Sequence, residues 1–190
     1  LGAGGAGLFA SIEAARAGAN VILLESTSRV GGSSAISGGS LAFAGTDFQK
    51  INGIHDSKEL LYADFMEIGR YRNVPELVQT YVDCQLETYE ELKKLGVVFK
   101  MVIPGEGSVP RTHKVNPAKL ILVLKKEAKR LGVTMRLETP ATRLLRSASG
   151  RIIGVMANDG NKQLNISARR GVIVATGGFS NNPEMLEDIR

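Results

Sequence analysis

The chain has 190 residues, of which 43% are hydrophobic, and this is enough apolar material to form a core and to exclude a disordered chain. Its net charge of +5 raises the question of nucleic-acid binding, but only 5% of the residues are aromatic, and the basic residues do not alternate with aromatic ones as in single-strand binders. No apolar run approaches the roughly 18 residues that a membrane span needs.

The N-terminal part of the chain predicts a glycine turn that opens a helix. Residues 2–7 are GAGGAG, an alanine-rich helix follows to about Ala17, and Gly18 is a typical helix stop. The short apolar segment 21–24 is typical of a buried parallel strand. A glycine-rich loop is predicted from about residue 26 to residue 45.

Two helices are predicted in the segment of residues 56–96. Asp56 with Glu59, and Asn73 with Glu76, have the spacing of capping boxes. We expect this helical segment to be an insertion into an α/β domain.

The rest of the chain predicts one more helix and a series of strands. Residues 97–103 are a candidate strand, and Asn116 caps a helix that has Pro117 at its first position and Gly132 past its end. Further strands are predicted at residues 134–137, 142–146, 152–157, 163–167 and 172–175. The order indicates an α/β, Rossmann-like dinucleotide-binding fold with a parallel central sheet, the helical insertion and an antiparallel β excursion.

The glycine turn and one acidic residue predict a dinucleotide site. In GAGGAG the first glycine allows a tight turn, the second lets a pyrophosphate approach the backbone, and the third lets helix and strand pack closely. The helix start favours an anion. Glu25 ends the next strand, where a carboxylate can accept hydrogen bonds from ribose hydroxyls. The alternative is a glycine-rich βα turn with an ordinary surface glutamate.

Two further glycine-rich segments bear on which dinucleotide binds. Residues 31–39 are GGSSAISGG, where paired glycines let the backbone lie against a ligand and serines offer donors without bulk. A domain that binds only NAD gives no obvious reason for this segment. A cofactor that extends past its pyrophosphate to a large flat ring does give one. The alternative is that the segment is a flexible linker. Residues 171–179 are GVIVATGGF, a predicted strand that runs into another glycine turn.

In this order, GAGGAG with Glu25, GGSSAISGG and VIVATGGF resemble the flavoproteins of the fumarate reductase and succinate dehydrogenase type, a group that includes urocanate reductases and 3-ketosteroid dehydrogenases. PRTH at 110–113 and ETPATRL at 138–144 look like the same family. The resemblance covers essentially all of residues 1–190 and is specific for the FAD fold, not for the substrate. It implies an FAD-binding domain that lacks its first strand and, after residue 190, its substrate-capping domain, so we expect the chain as written to be inactive.

The resemblance also implies which residues meet the FAD. The glycine turn would meet the pyrophosphate, Glu25 the adenosine ribose, and residues 31–39 the pyrophosphate, the ribityl chain and the flavin. Ala141 would offer backbone to the adenine, and the turn at 176–178 would lie near the cofactor. The candidate cofactor-binding residues are Gly2, Gly4, Gly5, Ala6, Gly7, Glu25, Ser26, Gly31, Gly32, Ser33, Ser34, Ser37, Gly38, Gly39, Ala141, Thr176, Gly177 and Gly178.

Three reactive side chains lie outside this set. His113, beside Arg111, could be an anion site or a proton donor. The resemblance places the substrate-binding histidines and the proton-transferring arginine after ATGGF, so for His113 we expect a structural or flavin-side role and no catalytic residue within the chain. His55 is expected at the surface, and Cys84, at an inward-looking helix position, in the core. No metal site is predicted.

The implied reaction is hydride transfer between flavin N5 and a C=C or C–C bond of a small anionic substrate, as in fumarate reductases. A 3-ketosteroid dehydrogenase-like enzyme is the alternative, and an NAD-binding dehydrogenase domain or a basic binding module without a cofactor are further ones. Some relatives attach FAD to a histidine before the Gly–Gly pair; residues 26–30 contain none, so we expect non-covalent FAD. We also expect a separate electron donor or acceptor, no nucleic-acid partner, and a cytoplasmic location, with the periplasm as the alternative.

Overall fold

The computed structural model describes residues 1–105, 107–180 and 182–187. Its helices are α1 (Gly5–Arg16), α2 (Gly32–Ile36), α3 (Asp47–Ile51), α4 (Lys58–Ile68), α5 (Pro75–Lys94), α6 (Pro117–Arg130) and α7 (Pro183–Glu187). Its strands are β1 (Ile22–Leu24), β2 (Ser40–Ala42), β3 (Met101–Ile103), β4 (Thr112–Lys114), β5 (Thr134–Arg136), β6 (Ala141–Arg146), β7 (Ile152–Asp159) and β8 (Lys162–Ser167). The chain divides into two compact units, a first unit of Leu1–Ile36 with Ile121–Arg190 and a second unit of Ser37–Leu120.

The first unit combines a parallel strand pair with an antiparallel sheet. Strands β1 and β5 pair in parallel, and β6, β7 and β8 form a three-stranded antiparallel sheet in that order. Its core includes Leu24, Val155 and Ala157, all buried. Helix α1 buries Leu8 and Ile12, which lie one turn apart on the same face. The predicted parallel pairing and antiparallel excursion are confirmed.

The second unit is built from the short sheet β2–β4–β3 and the helices α3, α4 and α5. Strand β4 lies in the centre of this sheet and pairs antiparallel with both neighbours. Helices α4 and α5 contribute to a core that contains Leu61, Met66, Val78 and Val82. The cap of α6 is as predicted, because Asn116 Oδ1 accepts a hydrogen bond of 2.9 Å from Lys119 N.

Both predicted capping boxes of the helical segment are wrong. Ser57 is the cap of α4 and accepts a hydrogen bond from Leu60 N, since the Asp56 carboxylate instead binds the guanidinium of Arg111. At α5, Val74 occupies the cap position without a side-chain bond, and the Asn73 amide donates to the carbonyl oxygen of Phe65.

The loop predicted over residues 26–45 is more structured than expected. It contains α2 and β2, and helix α3 follows it directly. Thr46 and Gln49 form the capping box of α3, with a hydrogen bond of 3.0 Å from Gln49 N to Thr46 Oγ1. The strand predicted at 97–103 is limited to β3.

Two other expectations also differ from the structure. Residues 172–175 form no assigned strand. Leu1 donates to Ile173 O and accepts from Ala175 N at 2.8 Å, but these two bonds do not continue into a ladder of consecutive pairs. Cys84 is exposed, because the buried positions of α5 follow Val82 and Gln85, and Cys84 lies off that stripe. His55 is exposed, as predicted.

Candidate cofactor site

The glycine turn at the start of α1 is tightly packed by the chain itself. Gly2 has a φ of 90°, a conformation that favours glycine, and its N–H donates to the carbonyl oxygen of Leu24 at 2.8 Å. A methyl group on Gly7 would lie 1.8 Å from the Gly2 carbonyl oxygen, and one on Gly2 would lie 2.4 Å from the carbonyl oxygen of Ala175. Gly2 and Gly7 are therefore required by the fold, and the turn lies against the segment of residues 175 and 176.

The first turn of α1 offers backbone donors. Helix geometry leaves the first N–H groups of a helix without an intrahelical acceptor. Gly5 N donates to Ser34 Oγ at 3.1 Å, and Ala6 is exposed. The cap residue Gly4 carries no side chain to satisfy the helix start, and the first turn contains no acidic residue. The positive end of the helix dipole thus faces a position where an anion is stabilised.

Gly4 differs from its neighbours because the chain does not require a glycine there. Its φ of −73° is accessible to any residue, and a methyl group would find its nearest atom, the Gly31 carbonyl oxygen, 3.7 Å away. Among the 22 glycines, all of which lie in the described part of the chain, Gly38 and Gly178 alone share both properties, namely an ordinary φ and no described atom closer than 3.7 Å. All three belong to the candidate cofactor-binding residues, each in a different glycine segment.

Glu25 is buried at the end of β1, with 8% of its surface exposed. Its Oε2 accepts from Ala3 N at 2.8 Å, and its Oε1 accepts from the backbone and hydroxyl of Thr27, both at 2.9 Å, and from Ser26 Oγ. Burial alone would raise the pKa of Glu25, but these hydrogen bonds hold it below its ordinary value. The side chain is therefore an ionised acceptor, and Oε2 keeps a second lone pair for a further donor.

The segment that begins at Gly31 lies beside the glycine turn. Gly31 N donates to the carbonyl oxygen of Ala3 at 2.8 Å, and Gly4 and Gly31 form a parallel bridge. Gly31 has a φ of 124°, and a methyl group there would meet the side chain of Ala35 at 2.6 Å. Gly32 and Ser33 are exposed at the start of α2. The structure thus brings the turn, Glu25 and this segment together within the first unit.

The remaining candidates are more dispersed. Ser37, Gly38 and Gly39 lie in the second unit, where Gly39 N donates to Ser37 Oγ at 3.3 Å. Ala141 is exposed at the start of β6, opposite Ala157, and no described hydrogen bond joins it to the glycine turn. The exposed residues at 176–178 follow directly on the Ala175 contact with the turn.

His113 is fully buried, and its ring nitrogens are both bonded inside the second unit. Its Nδ1 lies 2.8 Å from the carbonyl oxygen of Arg111, and its Nε2 lies 2.9 Å from Thr46 Oγ1. Because a carbonyl only accepts, Nδ1 carries the proton and Nε2 accepts from the Thr46 hydroxyl. Edge contacts with aromatic rings such as Phe43 and Tyr89 complete its surroundings. Burial lowers the pKa of His113.

Arg111 holds a buried polar cluster that the sequence did not reveal. Its Nη2 and Nε donate to the two oxygens of Asp56 at 2.9 and 3.1 Å, and its Nη1 pairs with Asp64. Asp64 also accepts from the backbone and hydroxyl of Ser108, at 2.8 Å each. The guanidinium therefore binds carboxylates of the fold and is not presented to a ligand.

Sequence reasoning also missed the neighbours that orient Glu25. Ala3 and Thr27 bind the carboxylate, yet neither residue type marks a cofactor site. In the part of the chain that the structure describes, no group of histidine, cysteine, aspartate and glutamate side chains could hold a metal ion. Nor does any described helix combine the length and the apolar character needed to cross a bilayer.

A glycine turn at a helix start, a parallel strand pair and an ionised carboxylate at the end of β1 define a dinucleotide-binding protein of the α/β class. The chain belongs to the FAD binding domain family, whose model matches residues 1–190. Its cofactor is therefore FAD. The residues of the first unit fit this group, because the start of α1 offers backbone donors to an anion and no described atom lies within 4 Å of the Cβ position of Gly178.

Three known proteins illustrate the similarity. The chain is 31% identical to the NADH:fumarate oxidoreductase of Klebsiella pneumoniae, across 100% of this chain and 21% of that protein. It is similar to the open conformation of a flavocytochrome c3 fumarate reductase, with a TM-score of 0.95 and 33% identity over 100% of this chain and 35% of that one. It is also similar to the 3-ketosteroid-delta4-(5alpha)-dehydrogenase of Rhodococcus jostii RHA1, with a TM-score of 0.89 and 32% identity over 98% and 47% of the two chains. The chain thus spans less than half the length of each.

Proposed function

We propose that the protein is an FAD-dependent oxidoreductase of the fumarate reductase type, which transfers a hydride between flavin N5 and a C=C or C–C bond of a small anionic substrate. The observation that carries this proposal is the similarity, over its whole length, to a flavocytochrome c3 fumarate reductase. This chain supplies the cofactor site. We assign no catalytic residue within it.

FAD, when bound, supplies the hydride-transfer chemistry, and the residues of this chain bind and orient it. Gly4 and Ala6 are proposed to meet the pyrophosphate at the start of α1. Two features support this assignment: the first-turn donors and helix dipole favour an anion, and Gly4 places no side chain beside them. The segment at Gly31 and Ser34 would border the same phosphates.

Glu25 is proposed to bind the adenosine ribose. Its carboxylate is ionised and fixed by the backbone of Ala3 and Thr27, so its orientation is set before the cofactor arrives. The second lone pair of Oε2 can accept a ribose hydroxyl. A negative charge at this place also opposes binding of a 2′-phosphate, which favours FAD and NAD over NADP.

The later segments complete the proposed site. Ser37, Gly38 and Gly39 would follow the ribityl chain and the flavin, and the turn at 176–178 would border the cofactor again. Ala141 would offer its backbone to the adenine. We propose non-covalent attachment of FAD, since the segment before Gly31 offers no histidine, and a structural role for His113, because both ring nitrogens already have partners.

A ketosteroid is the second candidate substrate, and the similarity to a 3-ketosteroid dehydrogenase favours it. The two substrates differ in charge and in apolar area, so they are separable by assay. The protein at its full natural length should reduce fumarate with a reduced dye and should leave 3-ketosteroids unchanged. Turnover of the steroid alone would move the protein to the second candidate. We also propose a separate electron donor or acceptor, and a cytoplasmic location with the periplasm as the alternative.

The cofactor site is tested by filling the space at Gly4. In the protein at its full natural length, Gly4→Val should abolish FAD binding, because the side chain would occupy the place of the pyrophosphate. The matched control is Ala17→Val, which adds two methyl groups to an exposed position at the other end of α1. Flavin absorbance after desalting measures the bound cofactor. Desalting in denaturant tests the non-covalent attachment, because it should release all flavin from the wild type.

Circular dichroism separates a cofactor effect from misfolding. Gly4→Val should keep the helix content of the wild type, since a φ of −73° suits valine and its Cβ would lie 3.7 Å from the nearest atom. A folded Gly4→Val protein that retains FAD with wild-type affinity would contradict the assignment of this turn to the pyrophosphate.

A further inference from the structure

Two adjacent glycines of the second unit have different reasons to be glycine. Gly39 has a φ of 65°, and a methyl group there would lie 2.2 Å from the carbonyl oxygen of Val115. The fold therefore requires it. Gly38 is exposed, has an ordinary φ, and has one atom within 4 Å of its Cβ position, Lys114 Nζ at 4.0 Å. The open face of Gly38 is thus bordered by an ammonium group.

Lys114 is held in this place by the turn itself. It lies at the end of β4, opposite Ser40 of β2 in the antiparallel register. Its Nζ donates to the carbonyl oxygen of Gly38 at 3.0 Å and to Ser40 Oγ at 2.8 Å. The ammonium is therefore fixed beside Gly38 rather than free to sample the solvent.

The charge of Lys114 is not neutralised by the residues that the structure describes. Its two acceptors are a carbonyl and a hydroxyl, and no described carboxylate forms an ion pair with it. An ammonium has three donors, so one remains for a ligand. A fixed cation with a spare donor beside open backbone is suited to an anionic or electron-rich group.

We propose that Lys114 positions the flavin and stabilises its reduced state, with its ammonium directed at the negative charge that the ring gains on reduction. This inference rests on the proposed function, which assigns the Gly38 turn to the flavin end of the cofactor. A cation near N1 of a flavin tunes its electronics and favours the reduced, more negative ring. Lys114 is thus a positioning residue that sets the reduction potential.

The pyrophosphate is the other negatively charged group of FAD. The reduction potential distinguishes a lysine contact with the pyrophosphate from a contact with the flavin ring. The pyrophosphate carries the same charge in both redox states. Loss of a pyrophosphate contact therefore weakens binding of oxidised and reduced FAD equally and leaves the potential unchanged. Loss of a contact with the ring weakens binding of reduced FAD more, and the potential falls.

The experiment uses three substitutions in the protein at its full natural length. Lys114→Gln removes the charge but keeps an amide donor for Gly38, Lys114→Met removes both, and Lys114→Arg keeps the charge. The control Lys50→Met removes one exposed charge from α3, elsewhere in the same unit. The dissociation constant of oxidised FAD and the midpoint potential are measured for each.

We expect Lys114→Gln and Lys114→Met to weaken binding of reduced FAD about tenfold more than binding of oxidised FAD, which is a fall of about 30 mV for a two-electron couple. Lys114→Arg should recover most of this potential, and Lys50→Met should match the wild type. An unchanged potential in the Gln and Met variants overturns the proposal, whether or not FAD affinity falls. Failure of both variants to hold FAD at saturating cofactor also overturns it, because the lysine would then serve the turn and not the ring.

The wild type separates this inference from the function on which it rests. A wild-type protein that binds no FAD contradicts the proposed function. A wild-type protein that binds FAD with a potential that Lys114 does not change contradicts only the present inference.

Discussion

The glycine turn of the first unit and the polar cluster of the second unit use their polar groups in opposite ways. At the turn, the available groups are backbone N–H donors and one carboxylate, Glu25, and Gly4 places no side chain beside them. In the cluster, Arg111 and His113 have the side chains usually associated with catalysis, but each is buried and bonded to its neighbours. The glycine turn is therefore suited to binding a ligand, whereas the side chains of Arg111 and His113 stabilise the fold.

This difference follows from the cost of burying polar groups. A buried charge without a partner is strongly unfavourable, so Arg111 is matched by Asp56 and Asp64. At the turn, the helix-start N–H groups carry only partial charges, and the buried Glu25 carboxylate is stabilised by neutral donors of Ala3 and Thr27 rather than by a cation. Substitution of one member of each region therefore tests this difference, by showing whether stability of the fold or binding of the cofactor is lost.

The largest effect is expected for Arg111. Arg111→Met would leave Asp56 and Asp64 buried without their cation, and breaking a buried pair in this way costs about 3–5 kcal/mol. We expect the free energy of unfolding, measured with urea, to fall by that amount. Arg72→Met, at an exposed arginine of the same unit, should change it by less than about 0.5 kcal/mol.

Neutralising the two partners gives a second check on Arg111. The triple variant Arg111→Met, Asp56→Asn, Asp64→Asn should recover part of the lost stability, since no unpaired charge remains buried. A single variant as stable as the wild type would show that water reaches the cluster, and the contrast between the two regions would fail.

A smaller effect, measured on cofactor binding, is expected for Glu25. Glu25→Ala removes a charged acceptor and should weaken FAD binding by about 1–3 kcal/mol. Glu25→Gln keeps the size but replaces one acceptor oxygen by a donor, and should give a loss of the same order. Equilibrium dialysis with FAD measures the effect.

The control for Glu25 is Glu13→Ala, which removes an exposed carboxylate from α1. It should bind FAD like the wild type. If the Glu25 variants bind FAD with the affinity of the wild type, this carboxylate does not bind the ribose. Its role is then to link Ala3 and Thr27.

Local patterns in the sequence predicted the first unit better than the second. GAGGAG, Gly18 and the strand before Glu25 depend on neighbours a few residues apart, and the structure has a helix, a helix stop and a strand there. Asp56 was misassigned because its partner, Arg111, lies 55 residues further along the chain. A capping pattern within four residues carries no information about such a contact.

Periodicity also failed where a polar residue occupied the core. The buried face of α5 includes Gln85, whose amide bonds both backbone groups of Ala44. A hydrophobic pattern favours Cys84 over Gln85 for burial, and the structure has the reverse. Gly38 and Gly39 form a similar case, because their identical letters hide different reasons for the residue.

The smallest expected effect is the pH dependence of stability that His113 contributes. Burial lowers the pKa of His113 below its ordinary value, although the hydrogen bond to Arg111 O and the nearby charges of Asp47 and Asp56 act in the opposite direction. The unfolded chain therefore binds a proton at this residue more readily than the folded one. This contribution to stability is complete above the ordinary pKa of about 6.5 and is lost as the pH falls from there to the lowered pKa.

The hydrogen-bond network explains why the folded protein resists this proton. The Nε2 atom accepts from the Thr46 hydroxyl, whose oxygen in turn accepts from Gln49 N. A proton on Nε2 would meet the hydroxyl hydrogen, and the hydroxyl would have to turn away from its buried acceptor. As the pH falls below about 6.5, we expect the urea-derived free energy of unfolding to decrease by at most about 1.4 kcal/mol per pH unit from this group. His113→Asn, which cannot be protonated, should be less stable at pH 8 but should lose this part of the slope; an identical slope in both proteins would assign the pH dependence to other groups.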